Sequence, residues 1–148
     1  MADDYDILSM VPETAVVSPT QTLQVTRVGF VTHPSSVVTY VNVPVVTQSP
    51  SAVHTTIEQY AQLIELAMTY QGVVGAYFAQ DTDRAGLLAD YLVVVVQYTS
   101  PNVARVGPYQ AEVWTLMISY GNPVGYAHSG VKASIDAAYS RLAKTVDG

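Results

Sequence analysis

From residue 37 to residue 45 the apolar and β-branched residues fall on every second position. Val37, Thr39, Val41, Val43 and Val45 share one face of an extended chain, and Val38, Tyr40, Asn42 and Val46 share the other. Neither face is plainly solvent-facing. The pattern predicts a strand over 37–47, and the run 23–32 predicts another before it. His33-Pro34-Ser35-Ser36 between them has turn chemistry, which predicts a hairpin. Pro44 has no amide hydrogen to give to a ladder, so the second strand belongs at a sheet edge or a bulge.

The period then changes. Ile57, Ala61, Ile64 and Met68, flanked by Tyr60, Leu63 and Ala67, form the apolar stripe of a helix. Thr55 and Glu58 have capping-box spacing and predict its start, and Gly72 predicts its stop. Three strand-like runs follow at 73–79, about 88–99 and 109–120, separated by the polar segment 81–86 and by Ser100-Pro101-Asn102, and residues 87–91 fit a short helical turn as well as a strand. Val93-Val94-Val95-Val96 does not alternate, which predicts cover on both faces. Val131, Ile135, Ala138 and Leu142 set a second helical stripe over 129–144, with Ser129 as N-cap and Arg141 and Lys144 in the last turn.

Residues 1–20 sustain neither period. Pro12 and Pro19 sit among Ser, Thr and acidic residues, yet Ile7, Leu8, Met10, Val11, Val16 and Val17 are too apolar for a solvated tail. This predicts an extended N-terminal arm, docked on a neighbouring subunit or across its own domain. The expected fold is α+β over 21–148, a mainly antiparallel sheet of about five strands in the order ββαβββα, with two helices on one face.

Charge sharpens the picture. Charged residues make up 12% of the chain, against about a quarter in ordinary soluble domains. Between Glu13 and Glu58 the only formal charge is Arg27. Such a stretch lacks the usual defence against sheet-edge association. The net charge is −6 and the basic residues are scattered singly, which argues against direct nucleic-acid binding and against an anionic membrane surface. The apolar run 92–96 is far shorter than a membrane span of about 20 residues. The N-terminus is acidic, unlike a secretory or transit signal, so a cytoplasmic origin is expected, including a virus assembling in a host cell.

Candidate chemistry is sparse. With no cysteine there is no thiolate zinc site and no Cys nucleophile. His33, His54 and His128 lack the spacing of a zinc site, and His128 has no G-x-S-x-G elbow to complete a triad. Asp81 and Asp83 form a tight acidic pair without the further ligands a Ca²⁺ loop needs, and with Arg84 they read as a polar turn. Asp3, Asp4 and Asp6 form an acidic cluster that solvation of a terminus explains. No catalytic residue, cofactor or metal site is expected.

The 11 tyrosines divide between core packing and interface, since Tyr offers large amphipathic area at low entropic cost. These features describe a structural subunit of a large homo-oligomeric assembly, such as a virus or bacteriophage virion protein in a capsid-decoration, tail or neck role. Its partners are then other copies of itself and other structural proteins. The expected interface is the edge strand, with Val37, Thr39, Tyr40, Val41, Val43, Pro44 and Val45, together with Ile7, Leu8 and Met10 of the arm. The alternatives are a small intracellular dimeric binding or scaffold module using the same strand for β-augmentation, and an enzyme with a carboxylate site around Asp81, Asp83 and Asp90.

Overall fold

A computed structural model of the chain describes residues 5–44, 50–82, 86–119 and 130–148. The element order is β1 (Tyr5–Ser18), β2 (Gln21–Thr32), β3 (Val38–Pro44), α1 (Pro50–Met68), β4 (Val73–Thr82), β5 (Leu88–Tyr98), β6 (Tyr109–Ser119) and α2 (Val131–Asp147). The class is α+β, as expected. The strands, however, form two antiparallel three-stranded sheets, β1-β2-β3 and β4-β5-β6, rather than one sheet of about five.

The added strand is β1, which occupies most of the segment expected to be an arm. It pairs with β2 from Tyr5↔Thr32 to Ser18↔Gln21. Its lack of period has a local cause. The register shifts between Ile7 and Ser9, so Ile7 pairs with Phe30 and Met10 with Val28, and the facing parity flips. Tyr5 and Ile7 therefore pack on the main core from one face of the hairpin, while Ala15 and Val17 are buried from the other. That second, small cluster joins Ala15, Val17 and Val25 with Leu23 and with Leu88 of β5.

The main core draws on both sheets and both helices. Val28 and Phe30 of β2, Val41 of β3, Leu92, Val94 and Val96 of β5, Ile57 and Ile64 of α1, and Ile135 of α2 are all fully buried in it. The Phe78 ring of β4 sits 4.9 Å from Tyr60 and 6.4 Å from Phe30, centroid to centroid. Val93, Val94 and Val96 are buried and Val95 is half-buried, in line with the unbroken valine run.

Helix α1 starts at Pro50, so Thr55 and Glu58 lie inside it and their capping-box spacing does not mark its start. Proline suits the first helical turn, where its missing N–H costs no hydrogen bond, and the helix runs through it to the earlier position. The stop falls as expected. Gly72 has φ +82°, and a Cβ there would lie 2.5 Å from the Tyr139 ring, so both backbone and packing require glycine. Gln97 N–H donates to Gly72 O at 2.7 Å and ties this turn to β5.

Helix α2 begins with Gly130 at the N-cap, and Ser129, the expected cap, lies outside the described residues. Val131, Ile135 and Ala138 are buried as the stripe predicts, and Leu142 packs against the core partly exposed. Among the described residues, no helix is long and apolar enough to cross a membrane.

Candidate interaction surface

Strand β3 carries most of the interface expected from sequence, and the structure turns much of it inward. Thr39, Val41 and Val43 are buried in the chain's own core, and Val37 and Ile7 are half-buried against it. The far edge of β3 is also engaged within the chain. Phe78 N–H of β4 donates to Thr39 Oγ1 at 2.9 Å, and Asn42 N–H donates to the buried Asp90 carboxylate of β5 at 3.2 Å. These two bonds hold the second sheet against the β3 edge, although β3 and β4 form no ladder. Pro44 pairs with Val25 at the end of the ladder, and Val45 lies outside the described residues. Tyr40, Leu8 and Met10 are the expected interface residues that remain exposed.

Strand β1 has no partner on its other side among the described residues. It carries two devices that discourage a partner strand: the irregularity at Leu8 and the proline at position 12. Backbone pairing is thus blunted there, while Leu8, Met10 and Val11 stay exposed.

The helix-free face of the first sheet brings Val11, Arg27, Tyr40 and Val38 together, since ladder partners share a face. Arg27, the one charge of the long uncharged stretch, stands 5.4 Å from the Tyr40 ring centroid and donates to Asn42 Oδ1 at 3.2 Å. On the second sheet, Tyr77, Val93 and Trp114 form one row across β4, β5 and β6. Val93 is fully buried on this helix-free side, while Tyr77 and Trp114 are 36% and 44% exposed. Tyr91 meets Trp114 edge-on at 5.6 Å. Tyr77 donates its hydroxyl to Glu112 at 3.2 Å, and partial desolvation, together with that carboxylate, pushes the phenol pKa up.

The third apolar feature is the connection from β5 to β6. Val103 is 98% exposed and Val106 84%. The loop is nonetheless ordered by its own hydrogen bonds. Asn102 Oδ1 accepts Ala104 N–H at 3.0 Å, and Asn102 O accepts Arg105 N–H at 2.9 Å. Its base is tied to the end of α2, where Ser100 Oγ donates to Asp147 at 2.6 Å and Tyr98 donates its hydroxyl to the same carboxylate. Those two hydroxyls hold the Asp147 pKa below the usual carboxylate range. In the sequence this loop carries neither a helical nor a strand period, and its apolar signal is two valines set among Pro101, Asn102, Gly107 and Pro108.

Among the described residues the titratable groups are spread over several elements. Asp81 is exposed and its carboxylate accepts the Thr82 N–H at 2.7 Å. Ladder pairing sets Asp81 beside Ala89 and Asp90 beside Gln80, so Asp81 and Asp90 point to opposite faces of the sheet. Asp3, Asp4, Asp83, Arg84 and His128 lie outside the described residues. His33 pairs with Asp6 at 2.7 Å, and His54 Nδ1 meets the Tyr5 hydroxyl at 3.0 Å, so both histidines bind β1 to the rest of the fold. Burial, with a smaller contribution from Asp90, pushes the Tyr60 phenol pKa far up. Among the described residues no group of three or more His, Cys, Asp or Glu side chains is placed to hold a metal ion.

Comparison of the chain with family models, with curated proteins and with solved structures finds no match.

Proposed function

We propose that this chain is a structural subunit of a large homo-oligomeric assembly, of the kind that forms a capsid decoration, tail or neck component of a virus or bacteriophage particle. It works by contact with copies of itself and with other structural proteins, and its place is the virion, assembled in the host cytoplasm. The observation that carries this reading is the exposure of Val11, Val38 and Tyr40 on one helix-free sheet face and of Tyr77 and Trp114 on the other. Apolar and aromatic groups set in a surface this poor in charge favour protein contact, and Tyr and Trp are the side chains that anchor such contacts.

The mode of contact differs from strand addition at β3. With the Asn42 N–H given to Asp90 and the Thr39 hydroxyl oxygen accepting the Phe78 N–H, the β3 edge is partly engaged within the chain, which favours packing of sheet faces as the mode of contact. Residues 1–20 include β1, so their removal would strip a strand from the fold and cannot isolate an assembly role. The test is therefore made on the full chain. Light scattering and electron microscopy over a range of concentrations are expected to show high-order particles. The double substitution Tyr77→Lys and Trp114→Lys is expected to yield smaller species with an unchanged circular-dichroism spectrum. A chain that stays monomeric at every concentration overturns the proposal.

A further inference from the structure

We infer that the β5–β6 loop of one copy docks against helix α1 of a second copy, with Val103 and Val106 entering the hollow beside Leu63 and Leu66, and Arg105 meeting Glu58. The inference rests on the homo-oligomeric reading above and specifies one of its contacts. The loop is a preformed apolar knob, because its turn is closed by Asn102 and its base is fastened to Asp147, so little conformational freedom is lost on docking. Helix α1 offers the matching hollow. Leu66 is 48% exposed, and with Gln59, Gln62 and Leu63 it lines a concavity of about 300 Å³, ample for an isopropyl group.

Charge selects a second copy as the occupant. The only charge in the loop segment 99–108 is Arg105, and the only formal charges on α1 are Glu58 and Glu65. Glu65 is committed to the β2–β3 turn through Ser35 and Thr32, whereas Glu58 makes no salt bridge among the described residues and Arg105 acts on Asp147 of its own chain without a direct salt bridge. Each copy therefore carries both halves of a complementary contact on different parts of its surface. Such a contact closes reciprocally in a two-fold dimer or runs head-to-tail into rings or filaments, and the large assembly on which this inference rests requires the head-to-tail form.

The experiment exploits the absence of native cysteine. Arg105→Glu alone and Glu58→Arg alone each place like charges opposite one another and are expected to weaken assembly by at least about tenfold in dissociation constant. Mixing the two single variants recreates one native and one swapped ion pair, so assembly is expected to return on mixing. In a separate variant, Val106→Cys with Leu66→Cys is expected to give disulfide-linked dimers and ladders on mild oxidation. Failure of the mixture to assemble, or the absence of cross-links, in a protein whose wild type does assemble overturns this docking and leaves the homo-oligomeric reading standing. A monomeric wild type overturns both.

Discussion

The ring of Tyr40 lies over Gly29, its partner across the β2–β3 ladder. A Cβ on Gly29 would fall 2.6 Å from Tyr40 Cε1 and 2.7 Å from Ser9 Oγ on the neighbouring strand β1. The absence of one side chain thus lets residues from three strands close over the middle of the sheet, with the Arg27 guanidinium held beside the same ring. An aromatic residue laid over a strand glycine replaces the packing that glycine cannot supply.

Gly29→Ala is accordingly expected to cost about 1–3 kcal/mol in urea denaturation, through displacement of the Tyr40 ring and the Ser9 side chain. Since the ring is one of the two obstacles, Tyr40→Ala in the same chain should recover part of that loss. Strict additivity of the two substitutions would show that the ring does not rest on the glycine.

Glu65 makes the second testable link. From α1 its carboxylate accepts Thr32 Oγ1 at 2.7 Å, Ser35 Oγ at 2.7 Å and Ser35 N–H at 3.1 Å, and so clamps the β2–β3 turn to the helix. Thr32 is fully buried, so Glu65→Ala strips the acceptor from a hydroxyl that water cannot reach. A loss of about 2 kcal/mol is expected, with faster hydrogen exchange at the Ser35 amide. Glu65→Gln, which keeps one acceptor oxygen, should lose less. Equal stability of the alanine variant and the wild type would refute the clamp.

The third prediction concerns pH. The Asp147 carboxyl is held below its ordinary value by the Ser100 and Tyr98 hydroxyls. Its contribution to stability is therefore fully present above the unfolded value of about 3.9 and is lost as pH falls through the lower folded value. Tyr98 behaves in the opposite sense. The Asp147 hydrogen bond raises its phenol pKa, so its contribution holds below about 10 and fades at higher pH. Thermal melts of wild type and Asp147→Asn should differ at neutral pH and converge as pH drops below about 4. A gap of constant size across that range would show that the carboxylate is not what holds the loop base.

Much of the local architecture was legible in the chain. The stripes Ile57–Ile64 and Val131–Ile135–Ala138 announced both helices, period two announced β3, unbroken valine announced β5, and strand-like runs between turn residues announced β2, β4 and β6. The exposed surface was only partly legible. Tyr40, Leu8 and Met10 are exposed, whereas Thr39, Val41 and Val43 are buried, and no period in the chain marks the exposure of Tyr77, Trp114, Val103 and Val106. Alternation shows which residues share a face but not which face is covered.

What the sequence determined by itself is the set of elements whose signal lies within one turn or one strand, because helix and strand periods depend only on near neighbours. Tertiary structure alone decided two other matters. One is strand β1, whose parity flips after Ile7 and whose far end is buried on Leu88. The other is the fate of the uncharged edge of β3, engaged by the Phe78 amide on Thr39 and by Asp90 on the Asn42 amide, across separations of 39 and 48 residues. Contacts over such distances leave no period in the chain, since they depend on where two sheets come to rest against each other.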